Sequence, residues 1–200
     1  MQNSSLVVKP ARYTTDSAFD WLYPERIQQL SKRHWTPMSV ARKSAQFLAN
    51  GPGKKVLDIG SGVGKFCILG GISFPHVNFY GVEQREELYH LSLEAREAAN
   101  VQNVDFIHAN FTQIDLDAYD NFYFYNSFFE NIDEGDKIDH DIECSASLYV
   151  YYSRFLCRAL DKKPGGTRLV TFHSLENEVP TSYQVVDVSP DLQLKMWIKR

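Results

Sequence analysis

Lys55-Val56-Leu57-Asp58-Ile59-Gly60-Ser61-Gly62-Val63-Gly64-Lys65-Phe66 decides how this chain is read. Val56 to Ile59 predict a buried strand, with Asp58 as its one polar intrusion. Glycines follow at alternate positions, and the residues after them can start a helix. A turn of this kind lets the backbone pass close to a ligand, because no Cβ stands in the way. The helix start behind it offers free N–H groups and a partial positive charge. The stretch therefore predicts a small-molecule site at the carboxyl end of a first strand.

Spacing narrows the ligand. A phosphate-binding loop needs a glycine, four residues and then Gly-Lys-Ser/Thr. Here Gly64-Lys65 is followed by Phe66, and position 59 is Ile. A dinucleotide turn needs its third glycine three residues after the second, where this chain has Lys65. What remains is Asp-x-Gly-x-Gly-x-Gly, with the acid inside the strand. A carboxylate there repels a pyrophosphate and suits a cationic ligand, such as one carrying a sulfonium and an ammonium.

Outward from this stretch the pattern alternates strand and helix. Lys55 to Ile59 is a strand and Gly64 to Ile72 a helix. Val77 to Val82 is a strand ending on Glu83, and Glu86 to Asn100 a helix with acids in its first turn. Val104 to His108 and the aromatic run Asn121 to Tyr125 are strands, the latter buried on both faces. Ile142 to Leu160 is a long helix and Thr167 to Phe172 a strand. Ser182 to Val188 and Leu194 to Ile198 alternate polar and apolar, as an antiparallel pair does. Upstream, Thr36 caps a helix with Pro37 in its first position. Asp16 to Leu30 suits a short amphipathic helix interrupted at Pro24. The sum is an α/β, Rossmann-like, doubly wound sheet of seven strands, mostly parallel, with an antiparallel C-terminal edge and helices on both faces. Residues 1–35 read as an N-terminal helical extension, with 1–16 loose, and 36–200 as one compact domain.

Composition bounds the rest. The chain has 200 residues, 44% hydrophobic and 23% charged, and a net charge of −4. This balance argues against broad salt-driven binding to a phosphate backbone, so nucleic acid is an unexpected partner. Cys67, Cys144 and Cys157 lack CxxC spacing and the six histidines are scattered, so no metal site is expected. No apolar run is long enough to span a membrane and no signal segment is seen, so a cytoplasmic location is the default.

Two further strand ends carry chemistry. Glu83 closes the second strand, where a carboxylate can accept hydrogen bonds from both hydroxyls of a ribose. Asn110-Phe111 follows the third: the amide can meet an adenine edge or simply serve the turn, and the ring can stack. Together, Asp58-Ile-Gly-Ser-Gly-Val-Gly64, Glu83 and Asn110-Phe111 resemble the cofactor motifs of class I S-adenosylmethionine-dependent methyltransferases. The resemblance spans roughly residues 36 to 200. The glycine form, with Gly81-Val82-Glu83 after it, is locally similar to the non-SET histone-lysine methyltransferases. The basic nucleosome-binding extensions of that family have no counterpart in this sequence, so its substrate is not carried over. The usual acid after strand three is Asn110 here. The resemblance implies S-adenosyl-L-methionine as cofactor. Gly60, Gly62 and Gly64 would line its methionine part, Asp58 would sit near its amino group, Glu83 would hold the ribose, and Asn110 with Phe111 the adenine. Ser61 and Gln84 adjoin these positions, and Thr36-Pro37 resembles a segment that closes over the cofactor.

Tyr125-Asn126-Ser127-Phe128-Phe129-Glu130 resembles the Asn-Pro-Pro-Tyr-type motif of amino-group methyltransferases, with Ser127 where proline is usual. That implies Asn126 as the group that accepts a hydrogen bond from the target nitrogen, also close to the cofactor, and Phe129 as an aromatic packed on the substrate. Asn126 could equally cap the following turn. Asn131 to Glu143 holds Asp133, Glu134, Asp136, Asp139, Asp141 and Glu143 against Lys137. This loop is either a solvated surface or an acidic rim that attracts a cationic acceptor. Lys65 reads as a plain helix residue. The expected function is methyl transfer, with an amine nitrogen of a protein side chain or small molecule as acceptor. A nicotinamide-dependent oxidoreductase and a non-catalytic adenosine-ligand binder stay open as alternatives, as does the oligomeric state.

Overall fold

Val56 and Leu57 are adjacent in a strand, so their side chains point to opposite faces of the sheet. Both are fully buried, which requires a cover on each face. The computed structural model describes residues 13–133, 135, 137–139, 141–175 and 178–200 and supplies both covers. Its strands are β1 (Lys55–Ile59), β2 (Asn78–Glu83), β3 (Val104–His108), β4 (Asn121–Tyr125), β5 (Arg168–Phe172), β6 (Tyr183–Val188) and β7 (Leu194–Lys199). They form one seven-stranded sheet in the order β3-β2-β1-β4-β5-β7-β6. β1 to β5 pair in parallel, and β7 runs antiparallel to both β5 and β6. The expected α/β sheet with an antiparallel C-terminal edge is the one observed.

The first face is covered by α4 (Met38–Leu48), α5 (Lys65–Ser73) and α6 (Glu86–Ala99). Ala41, Ala45, Leu48, Phe66, Leu88 and Leu91 join Val56, Phe79 and Tyr123 of the strands in one core. The second face is covered by α7 (Ala146–Lys162), whose Leu156 and Leu160 meet Leu57, Ile59, Phe122, Phe124 and Trp197. β4 contributes Phe122 and Phe124 to one core and Tyr123 to the other, so its aromatic run is buried on both faces as expected.

Several local expectations are sharpened or corrected. The segment from Asp16 to Leu30 is interrupted at Pro24, as expected of a residue that cannot donate a backbone hydrogen bond: α1 (Asp16–Asp20) precedes it, α2 (Glu25–Gln28) restarts directly after it, and α3 (Ser31–His34) follows. Phe19, Tyr23 and Ile27 still turn inward, into the same core as α4 and α5. Thr36 does not cap α4. Pro37 is the cap residue, the Met38 N–H donates to Asp16 Oδ1 at 2.8 Å, and the Thr36 hydroxyl meets the Tyr123 hydroxyl at 3.0 Å. α7 starts at Ala146, not Ile142, because Ser145 caps it through the Leu148 N–H. Of the loose start expected over residues 1–16, residues 1–12 lie outside the described residues, whereas Thr15 caps α1 and Asp16 begins it.

Candidate active site

The chain leaves β1 towards α5 on one face and leaves β4 towards α7 on the other. Their carboxyl ends are adjacent, and a crevice opens between connections that diverge in this way. A cavity of about 340 Å³ lies there, reached by residues from the ends of β1 to β5 and from α3.

The glycine turn is shaped by what it approaches. Gly60 has φ +74°, and a Cβ there would stand 2.6 Å from the Ser127 side chain. Ser127 is close because its hydroxyl donates to the Ile59 carbonyl at 2.6 Å, joining the tips of β1 and β4. The serine that replaces the usual proline thus has a structural task. Gly64 has φ +84°, and a Cβ there would meet the Phe106 ring at 2.3 Å. The Gly60 and Ser61 N–H groups both donate to the Val82 carbonyl at 3.0 Å, holding the turn against β2.

Glu83 faces this turn. Its Oε2 accepts from the Gly62 N–H at 2.9 Å and its Oε1 from the Arg85 N–H at 2.8 Å. Burial raises its pKa, and these two donors and the Arg85 charge partly offset the rise. Each carboxylate oxygen keeps lone pairs for further donors. Gln84, Asn110 and Phe111 line the same side of the cavity. The Asn110 amide donates to Gln84 Oε1 at 3.0 Å and to the Tyr152 hydroxyl at 2.8 Å. Its oxygen caps the turn through the Thr112 N–H at 3.0 Å. Of the two readings of Asn110, turn residue and adenine contact, this capping is the first, and the side chain also borders the cavity. Phe111 stacks on Phe128 with ring centroids 4.9 Å apart.

Asn126 also lines the cavity, from the β4 tip. It holds φ +44°, a left-handed conformation uncommon outside glycine. Its carbonyl accepts from the Phe129 N–H at 3.0 Å, so it does begin the following turn. Phe129 is half-buried and lies outside the cavity lining, whereas Phe128 is inside it. Of the other expected residues, Gly60 and Gly62 line the cavity, while Thr36, Asp58, Ser61 and Gly64 are not part of its lining. Asp58 is 4% exposed. Burial and the Glu83 charge push its carboxyl well above the usual range, opposed by a Cys67 thiol that donates to it at 3.8 Å.

Four residues that sequence reasoning passed over shape the site: Trp35, Arg85, Tyr152 and His173. His173 follows β5 directly and has φ +54°, with its ring 5.8 Å from that of Tyr125. Its place at a strand's carboxyl end was a usable signal. Arg85 is buried and binds Glu130 through two nitrogens, at 2.6 and 3.2 Å, and Asp139 at 2.8 Å. Burial alone would lower its pKa, yet these carboxylates hold it above the ordinary arginine value. Asp139 of the acidic loop is therefore paired with Arg85, which it shares with Glu130. Glu134 and Asp136 of that loop lie outside the described residues. Lys65 is no plain helix residue. It is 4% exposed, and its ammonium meets Asp16 at 2.7 Å and Asp20 at 3.2 Å, tying α1 to the start of α5. Among the described residues no group of His, Cys, Asp and Glu could hold a metal, and no helix is long and apolar enough to cross a membrane.

Known proteins resemble this chain in part of its sequence and in its fold. A family model described as "Putative methyltransferase" matches residues 52–122. A tRNA (guanine-N(7)-)-methyltransferase of Rubrobacter xylanophilus is 38% identical over 58 residues, 29% of this chain and 26% of that protein. The chain thus spans about a quarter of that curated relative's length. The crystal structure of TrmN from Thermus thermophilus matches with a TM-score of 0.61 at 17% identity, covering 88% of this chain and 52% of that one. An RNA methyltransferase from Salinibacter ruber, solved with S-adenosyl-L-homocysteine, matches with a TM-score of 0.55 at 16% identity, covering 82% and 92%. At these identities the two structures establish likeness of fold.

Proposed function

We propose that this chain is a class I S-adenosylmethionine-dependent methyltransferase, a reading supported by the family model and the shared fold, and that it transfers the methyl group to a nitrogen of an RNA base. The observation that carries the cofactor assignment is Glu83. Its carboxylate ends β2 at the cavity, is held in place by two backbone N–H groups, and faces the glycine turn. Such a group suits the paired hydroxyls of a ribose. Gly60 and Gly62 would flank the methionine part, and Gln84, Asn110 and Phe111 the adenine. Thr36, Asp58, Ser61 and Gly64, outside the lining, would act on the cofactor indirectly.

The cofactor supplies an electrophilic methyl on a sulfonium sulfur. Transfer forms the N–C bond as the C–S bond breaks; an exocyclic amino nitrogen then gives up a proton to solvent, whereas a ring nitrogen that carries no hydrogen keeps the positive charge. The protein's task is alignment of a neutral nucleophile in line with the C–S bond. The Asn126 amide oxygen would accept a hydrogen bond from the acceptor and steady the positive charge growing on it. Phe128 and His173 would border the acceptor, the place that the motif resemblance gives to Phe129.

An RNA acceptor is supported by the name of the Rubrobacter xylanophilus relative. It replaces the expectation, drawn from net charge, that nucleic acid is an unlikely partner. The second reading, an amine of a protein or small molecule, is favoured by the exposed Asp133, Asp141 and Glu143. It is weakened because Asp139 and Glu130 are already paired with Arg85.

The test pairs calorimetry with S-adenosylhomocysteine and a labelled-methyl assay. Saturable binding and label entering unmodified tRNA transcripts are expected. No binding at millimolar ligand sinks the cofactor assignment. Label entering only peptide or polyamine amines replaces RNA by the second reading.

A further inference from the structure

α7 carries an outer face that the site does not use. Tyr151 and Val150 are 53% and 43% exposed, and with Phe155 and Ala159 they line a shallow apolar groove bordered by Arg154, Arg158 and Lys162. The three cations recur at i, i+4 and i+8, so they form one stripe along the helix. Tyr151, Phe155 and Ala159 each lie three residues before one of them, which sets an aromatic and apolar stripe beside the basic one. Among the described residues none of the three cations is within ion-pair distance of a carboxylate. The acid of this helix, Asp161, is turned away: it accepts from the Ser182 hydroxyl at 2.6 Å, beside β6. On a chain of net charge −4, three cations with no carboxylate partner among the described residues are a local exception that suits an anionic ligand.

The groove adjoins the candidate active site. Phe155 packs edge-on against Phe111 at 5.5 Å, and Tyr151 contacts Tyr152 at 5.6 Å. Phe111 and Tyr152 both line the cavity. A ligand seated in the cavity and one lying along α7 would share this aromatic wall.

We infer that the outer face of α7 is a docking surface for the RNA acceptor, with Arg154, Arg158 and Lys162 on its phosphates and Tyr151 under an unstacked base. The inference rests on the RNA reading proposed above. Its chemistry is the pairing that single-stranded segments require: cations that track the backbone and an exposed ring that accepts any base face.

The test compares the wild type with Arg154→Gln/Arg158→Gln/Lys162→Gln, using unmodified tRNA transcripts as probe over a range of salt concentrations. These side chains are exposed, and S-adenosylhomocysteine affinity, measured in parallel, reports that the variant is intact. The expected result is tRNA affinity reduced at least about tenfold and a salt slope shallower by about 2, with cofactor affinity unchanged. Tyr151→Ala is expected to weaken binding with the slope kept. Should the wild type bind and methylate tRNA while the triple variant matches it in affinity and slope, the docking surface is wrong and the RNA reading survives. Should the wild type bind S-adenosylhomocysteine but neither bind nor methylate tRNA, the RNA reading falls and takes the docking surface with it. Sedimentation of both proteins covers the remaining occupant. A dimer that the triple variant dissociates would assign α7 to a second copy and overturn the inference.

Discussion

Single carboxylates illustrate how far one residue can be read. Glu83 follows from its position at a strand end, and the structure adds that its two oxygens are pinned by Gly62 and Arg85. Charge-assisted bonds of this kind are worth about 1.5–3 kcal/mol. Glu83→Ala should therefore weaken S-adenosylhomocysteine binding by roughly 10- to 100-fold, and an unchanged affinity in calorimetry refutes the ribose assignment. Asp58 needed the structure. Its strand position is visible in the sequence, but its face of the sheet is not, and it points to the core beside Cys67. Its folded pKa lies well above the ordinary aspartate value of 3.8. The stability that this group contributes is thus fully present below that value and is lost as pH rises through the raised one, by at most about 1.4 kcal/mol per pH unit. Asp58→Asn should flatten the stability profile above pH 3.8, with the variant gaining on the wild type as pH rises. Parallel melting curves across that range would show that Asp58 has its ordinary pKa.

Among the elements, the strands and α6 are legible because each carries a local pattern that its neighbours do not contradict. α1 to α3 are less so, since Pro24 fragments them and their apolar residues belong to a core built by distant segments. Lys65 shows the reason most clearly. Its partners Asp16 and Asp20 lie more than forty residues upstream, and no local spacing could pair them. The same ammonium sits over the Phe19 and Trp35 rings at 5.5 and 5.7 Å. Lys65→Met should cost about 2–3 kcal/mol, below the value for a fully buried pair, because Asp16 is half in solvent. Trp35 lines the cavity, so cofactor affinity should fall as well. Urea unfolding and calorimetry measure the two effects. A loss of stability with affinity unchanged would mean that the N-terminal helices play no part in the site. Arg85 makes a related link on the other side, from the tip of β2 to Glu130 and Asp139. Removing one partner of such a buried pair costs about 3–5 kcal/mol, so Arg85→Ala should be among the most destabilising changes near the cavity.

The whole molecule poses the question of how many folding units it holds. The sequence reading divides it into an extension, residues 1–35, and a domain, residues 36–200. Phe19, Tyr23 and Ile27 nevertheless share a core with α4 and α5. The two cores meet through strands that contribute to both, as β4 does with Tyr123 on one side and Phe122 and Phe124 on the other. A cavity made in any of the three layers should therefore lower one common transition. Leu48→Ala tests the first face and Leu160→Ala the second, each at about 2–5 kcal/mol, and Phe19→Ala tests the N-terminal helices at about 3–5 kcal/mol. All three residues are 0 or 1% exposed, so full burial applies to each. Urea unfolding followed by tryptophan fluorescence and by far-UV circular dichroism should give coincident curves, shifted in midpoint with the slope kept. If Phe19→Ala splits the curves, with a fluorescence change that precedes loss of the sheet, residues 13–35 unfold as a separate unit. Trp21 and Trp35 lie in that segment and Trp197 in β7, so the fluorescence would register the separation directly. A single shifted transition would mean that the N-terminal helices and the sheet stand or fall together.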